Sequence, residues 1–197
     1  MTRIISGKWK SRMLRVPQAV TRPTASRVRE AIFSTLTHEL GSFSDLNVLD
    51  LYAGSGALGI EAISRGAHNA VFVDNDRTAI SIINSNLGGL GHVHTQVVKS
   101  NVATYIGNSS PAVAFDLVFM DPPYSVVDTV VEDHIADLVA KNWLAQDAVL
   151  VIEREANSLI EWPAGFDAQE PRIYGDTSVW YGRYVGDKAG DDEGSDS

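Results

Sequence analysis

The sequence predicts an α/β protein with a mainly parallel, doubly wound sheet of seven strands, and three observations carry that prediction. From residue 47 onward, short apolar segments alternate with helical ones; this order sets parallel strands between helices on both faces. A glycine-rich turn lies where the first of these strands passes into a helix, the place where open α/β sheets bind ligands. Near the end of the chain two β-rich runs flank Gly175-Asp176, which predicts a terminal antiparallel hairpin.

The elements follow in order. Residues 1–23 contain Gly7, Pro17 and Pro23 without a helical period and read as short strands or an arm. Thr24-Ala-Ser-Arg-Val-Arg-Glu opens a helix, capped by Thr24 or Ser26 and ended by Gly41. Residues 1–40 thus form a small N-terminal extension, and 41–185 the main domain. In that domain Asn47–Tyr52, Ala70–Asp74, Val93–Val98, Asp116–Met120 and Ala148–Glu153 read as strands. Ala57–Arg65, Arg77–Leu87 and Val130–Lys141 read as helices. The hairpin comprises Arg172–Tyr174 and Val179–Val185. Residues 186–197 hold five acids, three glycines and no large apolar side chain, a composition that predicts disorder.

The chain has 197 residues, 44% hydrophobic and 21% charged, enough apolar material for a packed core at this size. It lacks cysteine, which excludes disulfides, thiolate zinc sites and thiol nucleophiles. No apolar run is long enough to span a bilayer and no signal sequence is evident, so the cytoplasm is the expected location. The net charge of −9 is unevenly spread. The first 30 residues carry eight basic side chains against one acid, a balance of +7 that leaves −16 for the remainder. A local polyanion-binding surface on an acidic body fits this asymmetry, and a simple solvated arm is the alternative.

Asp50-Leu-Tyr-Ala-Gly-Ser-Gly-Ala-Leu-Gly forms the strand-to-helix turn. Gly54, Gly56 and Gly59 satisfy the dinucleotide spacing, with Asp74 twenty positions after Gly54. That pattern alone does not separate a nicotinamide dinucleotide from S-adenosylmethionine (SAM). Asp50 favours SAM, because a carboxylate before the glycines repels a pyrophosphate and suits an ammonium group. Asp74 is placed to accept from ribose hydroxyls, and Asn101, after the third strand, to read adenine. Ala53, Gly54, Ser55, Gly56, Asn75 and Val102 complete the expected cofactor site.

Asp121-Pro-Pro-Tyr follows the fourth strand. An exocyclic amine on a base is a poor nucleophile because its lone pair is delocalised into the ring. Acceptors for both of its N–H groups orient that lone pair. Asp121 supplies a side-chain acceptor, Pro122 a carbonyl held rigidly by fixed φ angles, and Tyr124 a stacking face. SAM carries an activated methyl group, so neither metal nor covalent intermediate is required. The five histidines (His38, His68, His92, His94 and His134) lack a carboxylate cluster and are expected on the surface. Trp143 and Trp162 are expected to pack in the core or at its edge. Trp9 is read equally as an RNA stacker or an anchor for the arm. Glu153 and Glu155 are read as solvated polarity.

With these residues in view, the chain resembles the Asp/Asn-Pro-Pro-aromatic class of amino-methyltransferases and, more narrowly, the RsmD family of bacterial small-subunit ribosomal RNA guanine-N2 methyltransferases. The matching stretches are Arg3-Ile-Ile-Ser-Gly-Lys-Trp-Lys, Arg22-Pro-Thr-Ala-Ser-Arg-Val-Arg-Glu-Ala-Ile-Phe, Leu49–Ala62, Phe72-Val-Asp-Asn-Asp, Ser100-Asn and Asp121-Pro-Pro-Tyr. They span about residues 3–184. Ser6 departs from the pattern, where glycine is expected. The resemblance implies that Asp50, Gly54, Gly56, Asp74 and Asn101 line a SAM pocket. It implies that Asp121, Pro122 and Tyr124 hold the target guanine, and that Arg3, Lys8, Lys10, Arg12, Arg22, Arg27 and Arg29 meet RNA phosphates. It also implies small-subunit (16S) ribosomal RNA, in a folded and partly assembled subunit, as the partner. Three rivals stand beside it: a DNA adenine-N6 or cytosine-N4 methyltransferase, an NAD-dependent oxidoreductase, and a non-catalytic RNA-binding assembly factor. No heptads or long apolar faces are evident, so a monomer is expected.

Overall fold

The computed structural model describes residues 1–17, 25–91 and 94–186. Arg22, Thr24, His92, Val93 and the acidic tail from 187 lie outside the described residues. The elements run β1 (Thr2–Arg3), β2 (Met13–Leu14), α1 (Ala25–Leu40), β3 (Asn47–Leu51), α2 (Ala57–Ser64), β4 (Asn69–Asp74), α3 (Arg77–Gly88), β5 (His94–Lys99) and α4 (Val102–Asn108). They continue as β6 (Phe115–Met120), α5 (Asp128–Ala140), β7 (Leu144–Glu155), β8 (Phe166–Ala168), β9 (Arg172–Tyr174) and β10 (Thr177–Tyr184).

The main sheet has the order β5-β4-β3-β6-β7-β10, with β5, β4, β3, β6 and β7 parallel and β10 antiparallel to β7. The outer edge of β10 is shared: β9 pairs with Thr177–Val179 and β8 with Gly182–Tyr184. The sheet is therefore seven strands wide, as expected, with its seventh place filled by an interrupted strand. Pro171 stands in that interruption and has no N–H to donate to the ladder. The β9–β10 hairpin turns at Gly175, which has φ +61°. Three things were not legible in the sequence: β8, the helix α4, and the early start of β7. Both β8 and α4 are short and lack a full apolar period.

Strand side chains alternate between two cores. Val48, Phe72, Phe119 and Val151 pack with α1, α2 and α3, whereas Leu49, Val71, Val118 and Ile152 pack with α4 and α5. Hence the sheet is doubly wound. Trp143 lies in the α4–α5 core and Trp162 packs at its margin.

The basic arm is docked, not loose. Ile4 and Leu14 are buried in the same core as α1 and α2. The buried Glu61 carboxylate accepts from the amides of Ile5 (2.7 Å) and Ser6 (3.0 Å) and from Arg65 Nε (2.8 Å). Ser64 extends the joint: its carbonyl accepts from Lys8 N, and its hydroxyl donates to Ser6 O and accepts from Trp9 N. Ser6 takes part only through its backbone in these bonds, which is why serine serves where glycine was expected. Trp9 packs against the core with Lys8 Nζ 4.9 Å from its ring centroid, so it anchors the arm. Gly7 has φ +83°, and a Cβ there would stand 1.8 Å from Ser64 O. Gly7→Ala is expected to cost about 2–4 kcal/mol through left-handed strain and a backbone clash, read by urea denaturation. A change below about 0.5 kcal/mol would mean that the arm undocks freely.

Candidate active site at the carboxyl edge of the sheet

Parallel strands β4, β3, β6 and β7 end side by side, and the chemistry-bearing residues gather at their carboxyl ends. The turn after β3 is built from two left-handed glycines, Gly54 (φ +55°) and Gly56 (φ +74°), a region that side chains with a Cβ enter at a cost. Tyr52, just before it, is also left-handed at φ +58°, which is strained for an aromatic residue. A Cβ on Gly54 would have only Tyr52 O near it, at 3.9 Å, so the turn leaves room for a ligand against its backbone. Gly59 serves packing, since a Cβ there would stand 2.4 Å from the Phe72 ring.

Three carboxylates surround this turn. Asp50 is buried and its Oδ2 accepts from Gly59 N at 2.9 Å, so it also secures the first turn of α2. Asp74 Oδ2 accepts from Gly54 N at 2.8 Å and its Oδ1 from Asp76 N at 2.9 Å. Burial pushes the Asp50 carboxyl well above the usual carboxylate range; the Gly59 amide opposes this, and the neighbouring charges of Asp121 and Asp74 add to it. Such a cluster disfavours a pyrophosphate and suits a ligand with a sulfonium and an ammonium group. The residues present therefore fit SAM, and they argue against the dinucleotide reading.

The other expected cofactor residues fall nearby. Ala53 is buried and its N–H donates to Val73 O, while Ser55 O accepts from Asn86 Nδ2 at 2.9 Å. Asn75 is exposed beside Asp74. Asn101 caps α4 by accepting from Ala103 N at 2.9 Å, so its oxygen serves the helix, whereas the Val102 side chain is buried in the α4–α5 core. On the other side, Asp121 is exposed, Pro122 is buried and Tyr124 is 38% exposed. A flat, accessible ring beside a carboxylate is what holding a base requires.

Several residues that brace the site were missed in the sequence. Arg154 on β7 is buried behind the Asp121-Pro-Pro-Tyr loop. Its Nε donates to Asp128 Oδ1 (2.8 Å) and its Nη2 to Val126 O (2.6 Å), holding both ends of the segment that leads into α5. His134 corrects the expectation of surface histidines: it is buried and its Nδ1 lies 3.1 Å from Tyr52 Oη. Burial lowers the His134 pKa and raises that of Tyr52 to about 12, so both are neutral at physiological pH. Asn86 joins arm to turn, accepting from Arg15 N (2.8 Å) and donating to Arg15 O and Ser55 O. A polar residue on the apolar face of α3 was the available signal for Asn86, as an acid within the apolar α2 was for Glu61. Among the described residues no cluster of three or more histidines or acids is placed to hold a metal.

The basic residues divide. Arg3, Lys8, Lys10, Arg12 and Arg27 are exposed. Arg29 is a correction: it is 7% exposed, and its Nη2 donates to Thr2 Oγ1 (2.9 Å) and Arg3 O (2.8 Å). It braces α1 against β1, because the helix turns that residue toward the core.

Asp50→Asn gives a pH test. The native carboxyl keeps its proton at pH values where the unfolded chain has released it, so wild-type stability falls, relative to the variant, as pH rises above about 4 and levels off beyond the raised pKa. Urea denaturation between about pH 4 and pH 8 reads this. A gap independent of pH would show that Asp50 titrates normally.

Comparison with known proteins agrees with this geometry. Ribosomal RNA small subunit methyltransferase D of Escherichia coli is 35% identical over 175 residues, covering 88% of this chain and 85% of that protein. Putative rRNA methyltransferase YlbH of Bacillus subtilis is 41% identical over 126 residues, 62% of this chain and 66% of that one. The solved structure of the putative methyltransferase yhhF from Escherichia coli superposes with a TM-score of 0.80 at 33% identity, covering 93% of this chain and 97% of that one. The sheet is thus the Rossmann-like fold of SAM-dependent methyltransferases, and SAM is the cofactor. Residues 2–183 match the family termed Conserved hypothetical protein 95, and the chain belongs to that family, which is the RsmD family its motifs resembled.

Proposed function

We propose that this protein transfers the methyl group of SAM to the exocyclic N2 of a guanine in small-subunit ribosomal RNA. The observation that carries the reading is that Asp121-Pro-Pro-Tyr follows β6 at the same sheet edge as the glycine turn with Asp50 and Asp74. Asp50, Asp74 and the Gly54–Gly56 backbone would hold the cofactor, with Ala53, Ser55, Asn75, Asn101 and Val102 around it. Bound SAM supplies a methyl carbon activated by sulfonium. The chain's own part is positioning: Asp121 and the Pro122 carbonyl accept the two N2–H bonds, Tyr124 stacks on the ring, and the Arg154 clamp keeps their loop in place. The relatives named as ribosomal RNA methyltransferases support an RNA substrate.

The docked arm supports it too. Lys8, Lys10 and Arg12 are exposed on a segment that leads to Arg15, which Asn86 ties to Ser55 of the cofactor turn. A phosphate backbone bound along the arm is thereby led toward the site. The amino group must be unstacked to reach Asp121. A domain this small reads little RNA sequence, so a partly assembled subunit, acted on by the monomer, is the favoured substrate.

Labelled methyl transfer to unmodified small subunits, with the product nucleoside identified, is the primary test. N2-methylguanosine is expected, and Asp121→Ala should lower the rate at least about 100-fold. Label on DNA or another base would overturn the substrate reading, and equal rates on deproteinised RNA would overturn the subunit preference. Replacing Lys8, Lys10 and Arg12 by Gln should weaken RNA binding and flatten its log–log salt dependence by about 0.7–0.9 per lost contact. An unchanged slope would remove the arm from the RNA interface.

A further inference from the structure

Glu153 is the residue that the proposed reaction leaves without a role. The sequence suggested solvated polarity, but the side chain is half-buried within β7. Its position is set by register. Met120 pairs with Ile152 at the end of the parallel β6–β7 ladder, so Asp121, the first residue past β6, leaves the sheet edge next to the position of Glu153 on β7. Val149 and Val151 belong to the α1–α3 core and Leu150 and Ile152 to the other. The alternation therefore puts Glu153 on the α1–α3 side, the side of Asp50. The Asp121 charge is felt at Asp50. Along the carboxyl edge the acids thus stand in the order Asp74, Asp50, Asp121, Glu153. The first two flank the cofactor turn, and Glu153 lies beyond Asp121 on the far side. The buried Arg29 guanidinium feels the Glu153 charge, which places that side chain toward α1.

On the Watson–Crick edge of guanine the N1–H donor sits next to the N2 amino group. Adenine and 2-aminopurine offer an acceptor at N1. An amino group held by Asp121 and Pro122 leaves N1–H in need of an acceptor next to Asp121. We infer that Glu153 is the specificity-determining residue of the site, its carboxylate accepting the N1–H of the target guanine while Asp121 holds N2. This rests on the guanine-N2 reading. It adds the physical basis for choosing guanine, because a half-buried carboxylate meets the N1–H donor of guanine with its lone pairs but opposes them to an N1 acceptor.

The test uses the full chain and reconstituted small-subunit particles. The guanosine labelled by the wild type is mapped and then replaced by 2-aminopurine, which keeps the N2 amino group and lacks N1–H. Wild-type kcat/KM should drop at least about 100-fold on 2-aminopurine. Glu153→Gln presents an amide N–H as well as an oxygen. It should lose about tenfold on guanosine and gain on 2-aminopurine, narrowing the ratio at least tenfold. SAM affinity should stay within about twofold, because the cofactor half of the edge is untouched. A purely structural role beside Arg29 would lower both substrates by one factor and leave the ratio unchanged, which overturns the inference, as would unchanged guanosine transfer. Should the Gln variant not fold, Glu153→Asp keeps the charge and shortens the reach. It should also narrow the ratio, and full discrimination by that variant overturns the inference. Wild-type transfer to a base other than guanine overturns both readings. N2-methylguanosine from the wild type with a ratio insensitive to Glu153 overturns this one alone.

Discussion

At the end of β3 the buried Asp50 carboxylate accepts the Gly59 amide at 2.9 Å, and this contact sets where α2 starts relative to the sheet. The glycine turn is the chain's path between those two points. With the strand end and the helix start fixed, residues 52–56 must reverse in five steps, which places Tyr52, Gly54 and Gly56 in left-handed backbone. Asp74 on the adjoining strand then reaches Gly54 N. A carboxylate is the right group at this point because it accepts a helix amide and also sets the sign of what can bind. Its burial and its acidic neighbours make added negative charge unfavourable and positive charge favourable.

The same device of a polar group set in an apolar face joins the arm to the domain. Glu61 projects from α2 and satisfies two arm amides as well as Arg65. Asn86 projects from α3 and joins Arg15 to Ser55. Each is costly to bury alone and stable only when the arm is in place. The arm is thereby coupled to the cofactor turn through α2, which that turn leads into, and through Asn86 of α3, which bonds Ser55 directly. The arm and the glycine turn thus share one rigid frame.

On the opposite side of Asp121 the frame is β7. Arg154 faces the α5 side and ties the loop to Asp128 and Val126, while Glu153 faces the α1–α3 side next to Asp121. Successive residues on one strand thus face opposite sides of the sheet, Arg154 toward the loop before α5 and Glu153 toward the α1–α3 core. The pleat separates the two without extra chain. His134 and Tyr52 add a neutral hydrogen bond between α5 and the strained residue before the glycines, so both flanks of the site lean on α5.

Local patterns in the sequence were enough for the alternation of the main strands and helices apart from α4 and β8, the parallel sheet, the glycine turn with Asp50 and Asp74, and the Asp121-Pro-Pro-Tyr loop. Periodicity, glycine and proline act within a few residues, so they are readable without a fold. The tertiary structure alone decided which basic residues face outward, because the turn of α1 sends Arg27 to solvent and Arg29 into the joint with β1. It alone decided that His134 is buried, that Asn101 caps a helix too short to show a period, and that Met120 and Ile152 pair where β6 ends. Those outcomes depend on helix rotation and on parallel strand register. Crossovers and core packing between distant segments set both, and no local pattern encodes them.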